Sequence, residues 1–294
     1  MPLNPATLLT AVPNVSEGAD ERKVAQIAAA FDSTDGARLL AQPHSDADHG
    51  RSVFTLAGEP GRLSDALVAG TRAACEQISL SSHGGMHPHV GVVDVVPVVF
   101  LDEARRGAAM AEALVTADLL GEELGLSVFL YGILSGGRSR AQLRKGGLAG
   151  LTARVEAGEI ESDFGPSIPD PAKGATLVAA RPPLVAFNLE LGPPATIEDA
   201  KRIAANIREG GSGGLPGVRA IGLELPHRGG VAQVSMNIED HTRVSLAEVV
   251  AAVSADARVS EAELVGLAPA AAFDGFPDQL HCRNRATLED ALGF

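Results

Sequence analysis

"PLVAFNLEL" (183–191), followed by "TIEDAKRIAANIRE" (196–209), is the stretch that decides the fold. The first segment is an apolar run flanked by prolines and reads as a strand. The second reads as a helix, with Thr196 placed as N-cap and Asp199 at the third helical position, close to a capping box. Downstream, "GVRAIGLEL" (217–225) and "VAQVSMNIE" (231–239) read as strands joined by a tight turn at "PHRGG". "SLAEVVAAVSADA" (245–257) then reads as a helix and "EAELVGLAP" (261–269) as a strand. The order is β-α-β-β-α-β.

Upstream the same order recurs. "TLLTAVPNV" (7–15) is a strand, and "ADERKVAQIAAAF" (19–31) a helix with apolar residues at Val24, Ile27, Ala28 and Phe31 and with Asp20 placed to cap or favour its N-terminus. "ARLLAQP" (37–43) and "RSVFTLAG" (51–58) are strands, "RLSDALVAGTRAACEQI" (62–78) an amphipathic helix, and "VVDVVPVVF" (92–100) a valine-rich strand. An α-β extension follows in "AAMAEALVTADLLGEELG" (108–125), closed by Gly125, and "SVFLYG" (127–132). Residues 136–174 are the least regular: one or two short helices, then a loop, "DFGPSIPDPAKGAT" (163–176), with three prolines. The repeated order predicts an α+β protein of two βαββαβ-like sandwich subdomains, residues 1–180 and 181–294. Each sheet should be covered by helices on one face and be apolar on the other. The two sheets are then expected to pack face to face with a ligand cleft at the seam, and "AARPPL" (179–184) to be the hinge.

Composition narrows the function classes. The chain has 294 residues and a formal net charge of −13, with no cluster of Lys and Arg of the kind nucleic-acid or membrane-surface binding needs. "GGRSRAQLRKGG" (136–147) is the longest basic stretch, either a solvated helix face or a contact for a small anion. Cys75 and Cys282 form no C-x-x-C pair. The N-terminal residues do not read as a signal peptide, and no apolar run approaches 18 residues. A cytoplasmic enzyme or binding protein is expected.

Five of the eight histidines fall between residues 44 and 89. "PHSDADHGR" (43–51) carries His44, Asp46, Asp48 and His49, and "SSHGGMHPHVG" (81–91) carries His83, His87 and His89. Three readings stay open on the residues alone. Histidines with nearby aspartates can hold a metal, although H-E-x-x-H spacing is lacking. One histidine oriented by a carboxylate can move protons without a metal. Histidines in a Gly/Pro loop can also be plain turn residues.

Seven motifs, in order, resemble one family. "VPNVSEG" (12–18), "HGGMHPHVGVVDVVP" (83–97), "DFGP" (163–166), "GAT" (174–176), "LVAFNLEL" (184–191), "GLPGVRAIG" (214–222) and "QVSMNIED" (233–240) resemble glutamate formimidoyltransferase, the transferase part of formiminotransferase-cyclodeaminase. The resemblance implies two α/β subdomains with facing sheets and a tunnel between them. It implies transfer of a formimino group from N-formimino-L-glutamate to tetrahydrofolate, with tetrahydrofolate as co-substrate and no metal. The family's catalytic histidine, the one before proline, falls on His87, with His83 and Asp46 or Asp48 in support. Its folate-binding loop falls on Gly165, Pro166, Ser167, Ile168, Pro169, Asp170, Pro171, Ala172, Lys173 and Gly174. Similar transferases form dimers, so a homodimer is the assembly implied, with folate and formiminoglutamate as the small-molecule partners.

Some positions depart from the family pattern. Met86 and His89 stand where the family usually has Glu and Arg around its histidine-proline pair, Gln42 and His44 where it has acidic residues, and Ile133 where it has Glu. These departures bear on the donor more than on the fold. Arg51, Arg138, Arg140 and Lys145 are candidate partners for glutamate carboxylates. The rival readings are transfer from another one-carbon donor, folate binding without transfer, and a metal-dependent hydrolase.

Overall fold

A computed structural model describes residues 7–82 and 89–293. The chain divides into two compact units, the first ending at Pro182 and the second beginning at Pro183.

The first unit is a βαββαβ core whose strands are interrupted. It contains β1 (Leu9–Ala11), β2 (Asn14–Val15), α1 (Glu21–Phe31), β3 (Ala37–Leu39), β4 (His44–Asp46), β5 (Arg51–Val53), β6 (Leu56–Gly58), α2 (Leu63–Gln77) and β7 (Val93–Val99). β1 and β2 continue one another: Leu9 faces Gly58, and five residues on, Asn14 faces Val53 in the same antiparallel register. Pro13 breaks the strand between them, since proline has no N–H to give the ladder, yet its carbonyl still accepts from Phe54 N at 3.0 Å. β3 and β4 pair in turn with β6 and β5. β7 closes this core by pairing antiparallel with both β1 and β2.

The extension follows as α3 (Arg106–Leu124), β8 (Ser127–Leu130), α4 (Arg140–Leu143), α5 (Gly147–Glu156) and β9 (Ala175–Arg181). β9 lies parallel to β7 on one side and to β8 on the other. The strand at 175–181 is missing from the sequence reading, which places only loop and hinge there. Parallel strands buried on both sides read as plain apolar runs without alternation, and "ATLVAAR" is such a run, six of its seven residues being buried.

Helix placement follows from the same requirement. α1, α2 and α3 cover one face through Ile27, Phe31, Leu67 and Leu120, among others. β8 and β9 also need cover on the opposite face, and Leu143 of α4 and Leu151 of α5 pack there with Val95, Phe129, Leu177 and Ala179. The first sheet is therefore helix-covered on both faces at this edge, where a single covered face was expected. Helix ends are fixed as the sequence suggests. Asp20 accepts from Arg22 N and Lys23 N at the start of α1, and Gly125 ends α3 with φ 62°. α2 has no capping side chain of its own. Buried Glu112 of α3 supplies one from outside, accepting from Gly61 N at 2.5 Å and Ser64 N at 2.6 Å.

The second unit matches the predicted element order. It runs β10 (Val185–Leu191), α6 (Ile197–Ile207), β11 (Val218–Leu225), β12 (Val231–Ile238), α7 (Leu246–Ser254) and β13 (Val259–Val265), with β14 (Cys282–Arg283) and α8 (Leu288–Leu292) after it. Its sheet order is β11-β12-β10-β13-β14. The Thr196–Asp199 capping box is complete in both directions. Phe187, Leu189, Val234, Met236, Ala262 and Leu264 pack against α6 and α7.

The other face of this sheet corrects the apolar expectation. Alternate positions carry Asn188, Glu190, Gln233, Glu261 and Glu263, and all but Glu261 are buried. Glu190 stands directly across from Glu261, a like-charge pairing that is destabilising by itself. Arg283 and Arg228 offset it. Arg283 reaches Glu190 at 2.6 Å, Glu261 at 2.8 Å and Glu263 at 3.3 Å. Arg228 reaches Glu190 at 2.9 Å and Glu261 at 3.0 Å.

Candidate functional site

The sequence-predicted site residues fall on three segments of the first unit. His83 and His87 lie outside the described residues. His89, half-buried, is described.

The first segment is the turn between β4 and β5. Asp46 accepts from His49 N at 2.8 Å, so its carboxylate closes the turn locally, as aspartate does in Asx-turns. Asp48 and His49 are buried at 6% and 8% exposure. The turn is pressed against Gly18 of the "VPNVSEG" stretch, where a Cβ would collide with the Asp46 carbonyl. Ser52 binds the same stretch, its hydroxyl donating to the Glu17 carbonyl at 2.5 Å.

The second segment is the proline-rich loop before β9. Asp163 accepts from Leu130 N at 2.7 Å and pairs with Arg138 at 2.6 Å, which fixes the entrance of the loop. Gly165 has φ 71° and abuts the Leu126 carbonyl, so no side chain fits there. Ser127 Oγ donates to the Pro166 carbonyl at 2.6 Å. Asp170 turns the far end, its carboxylate accepting from Ala172 N at 2.8 Å and Lys173 N at 2.9 Å. Between these anchors Ser167 is exposed, and Ile168 is 54% exposed. The loop thus has fixed ends and offers an exposed hydroxyl and an exposed apolar side chain between them.

The third segment leads into and out of the histidine loop, and it is stitched to the second. Leu80 N donates to the Ala172 carbonyl at 2.9 Å, ahead of the histidines. After them, Val92 N donates to the Lys173 carbonyl at 2.8 Å, and Ala175 N to the Val90 carbonyl at 2.9 Å. Gly91 and Gly174 face each other across this seam. A Cβ on Gly91 would strike the Ala175 carbonyl, and one on Gly174 the Val90 carbonyl. Two segments some eighty residues apart in sequence are therefore joined by main-chain bonds. Ser16 supports the seam from β2's end, its hydroxyl donating to the Gly91 carbonyl at 2.8 Å.

Beside the seam lies a polar group that the sequence reading missed. Asp94, fully buried, accepts from Val90 N at 2.8 Å. It also pairs with Arg51 at 2.7 Å and with Arg144, the residue that follows α4. Arg51 donates further to Asn14 at 3.2 Å. Burial lowers the Arg51 guanidinium to about 10, against the pull of Asp94 and with the repulsion of Arg144, so it stays charged at neutral pH. The signal was present in the sequence: a lone aspartate inside the valine run "VVDVVPVVF" must find cations or hydrogen-bond donors if that strand is buried. Of the other cations singled out from sequence, Arg138 pairs with Asp163, Arg140 stacks over Tyr131 at 5.8 Å, and Lys145 is exposed.

Two family models match in series: the N-terminal subdomain of the formiminotransferase domain over residues 8–181, and the formiminotransferase domain over residues 186–277. The chain belongs to the formiminotransferase family. It is 34% identical over 276 residues to a glutamate formimidoyltransferase of Streptococcus pyogenes serotype M1, covering 91% of each chain. A second glutamate formimidoyltransferase, from Thermoplasma acidophilum, is 32% identical over 273 residues, 90% of this chain and 88% of that one. The formimidoyltransferase-cyclodeaminase of Sus scrofa is 36% identical over 283 residues, which are 89% of this chain and 50% of the relative. The chain thus spans about half the length of such bifunctional relatives. Three of the motifs are legible as structure at the site: "VPNVSEG" supplies Asn14, Ser16 and Gly18, and "DFGP" and "GAT" are the two anchored ends of the exposed loop.

Among the described residues no three His, Cys, Asp or Glu side chains are grouped so as to hold a metal ion. No described helix is long and apolar enough to cross a membrane.

Proposed function

We propose that the chain transfers the formimino group from N-formimino-L-glutamate to tetrahydrofolate, with His87 as the proton shuttle. The observation that carries this reading is the relation to glutamate formimidoyltransferases over 91% of the chain. The stitched seam supports it, because it ties the proposed tetrahydrofolate loop, Gly165 to Gly174, to both ends of the histidine segment.

The chemistry suits these groups. N5 of the pterin attacks the amidine carbon of the donor and gives up its proton to His87 as the new N–C bond forms. When the tetrahedral intermediate collapses, the bond from that carbon to the glutamate nitrogen breaks, and His87 returns the proton to that nitrogen. One histidine thus serves as base and then acid. Holding both substrates against one rigid frame supplies the orientation that a bimolecular reaction lacks. His83 and buried Asp48 stand in support of the shuttle, and Asp46 acts through the turn that it closes. Ser167, Ile168 and Lys173 are the side chains offered to the folate. We take the two compact units that part after Pro182 as the two subdomains, two residues beyond the boundary expected from sequence, and place the protein in the cytoplasm with a homodimer as the working assembly.

Single-turnover absorbance with tetrahydrofolate and formiminoglutamate tests this, run beside His87→Ala. Transfer by the unaltered protein and loss of at least about a hundredfold in the variant is the expected outcome. Tight tetrahydrofolate binding without any transfer would mean that Met86, His89 and the other departures have changed the donor.

A further inference from the structure

Asp94 sits where a valine would satisfy the sheet. The register shifts where β2 meets β7: Asn14 faces Val95 and Val15 faces Val93, which leaves Asp94 as the extra residue of a bulge. A bulge re-aims one side chain out of the strand alternation. Here it frees a fully buried carboxylate to serve three chain segments directly and a fourth through Arg51. Oδ1 accepts from Val90 N at 2.8 Å. Oδ2 takes Arg51 of β5 at 2.7 Å and Arg144 at the end of α4, and Arg51 continues to Asn14 of β2.

A buried ion pair is weak evidence for stability, because desolvation offsets most of the attraction and apolar residues often do as well. An apolar residue at position 94 could complete the strand. It could not hold the Val90 N–H, and it could not fix two guanidinium groups at that point. Val90 directly follows the segment that carries His83, His87 and His89.

We propose that Asp94 is a positioning residue for the transfer reaction, fixing the main chain at Val90 relative to Arg51 and Arg144. The proposal rests on the transfer reading above. It gives the bulge, the lone aspartate and the two converging arginines one common purpose.

The test is Asp94→Asn, which keeps the shape and removes the charge. Should it not fold, Asp94→Asn combined with Arg144→Met removes one stranded cation and is measured in its place. kcat is expected to fall about a hundredfold, the scale of a small misplacement of reacting groups. KM for tetrahydrofolate should change less than kcat, since the loop at 165–174 keeps its anchors at Asp163, Ser127 and Asp170 as well as the seam. Amide exchange should quicken at Val90 and at Ala175, whose N–H is held by the Val90 carbonyl, and stay unchanged in the rest of β9. Unaltered kcat in a folded variant would overturn the proposal. So would a loss of kcat accompanied by faster exchange throughout β7 and β9, the mark of a merely structural role. If the unaltered protein transfers no formimino group, the transfer reading fails by itself. Exchange at Val90 then decides alone: local quickening supports the clamp, and no change removes it.

Discussion

Gly174 shows how much one residue can govern here. Its φ of 75° lies in the left-handed region, and a Cβ would meet the Val90 carbonyl. Alanine at this position carries a backbone penalty of about 1 kcal/mol and a collision with main chain that cannot rotate away. Gly174→Ala is expected to destabilise the first unit by about 2–3 kcal/mol and to weaken tetrahydrofolate binding at least tenfold, because the seam beside the loop must open. Thermal melting and calorimetry on the same sample read both effects. A variant that melts early but binds normally would separate the seam from the ligand. At this scale the sequence was partly legible. A glycine ending "AKG" before an apolar run reads as a loop end, but its facing partner, Gly91, lies 83 residues away. No local pattern reports that approach. Asp94 is the opposite case, a visible anomaly in a valine run whose partners only the fold could name.

Element by element, the second unit teaches the clearest lesson. β10, β12 and β13 alternate cleanly, apolar residues toward α6 and α7 and polar ones away. The polar face holds three glutamates that two arginines compensate. Arg283 comes from β14, a two-residue strand beyond the stretch that matches the family model. Removing it takes from Glu190 one of its two arginines and from Glu263 its arginine contact, at sites that are 4% and 3% exposed. Arg283→Ala is therefore expected to cost about 3 kcal/mol, the usual result of breaking one partner from a buried pair. Adding Glu190→Gln should restore part of it. Denaturant titration of the single and double variants measures the coupling, and simple additivity would show that the arginine acts elsewhere. The capped helices α1 and α6 were readable from sequence because caps are local. β14 was not, because two residues carry no periodicity and pair only through tertiary contact with β13.

For the whole molecule, charge sets the response to pH. The chain carries −13 at neutral pH. Several carboxylates titrate below their ordinary values in the folded state. Burial alone would raise Glu261, but the hydrogen bond with His281 and the charges of Arg283 and Arg228 outweigh it, and the net direction is down from 4.5. Hydrogen bonds from Thr242 lower Asp240, and the capping bonds at Thr196 and Ser245 lower Asp199 and Glu248. A depressed folded value means stability that is fully present above the unfolded value and is lost as pH falls through the folded one. The melting temperature should therefore be level from neutral pH to about pH 5 and fall below it, with Glu261→Gln showing a shallower fall. A melting temperature that rises on acidification through this range would contradict the assignment.

The sequence by itself determined the element order of the second unit, the helix caps, the anchored loop at 163–176 and the family. These rest on short-range periodicity, on side chains capping their own helices, and on motifs preserved in order. Tertiary structure alone decided that β9 is a parallel strand, that the second sheet's face away from α6 and α7 is polar, and that Ser16, Val90, Asp94, Arg51, Arg144 and Lys173 meet at one place. The physical reason is common to all three. Each depends on contacts between segments distant in the chain, where burial and hydrogen-bond geometry, rather than local propensity, determine which residue faces which.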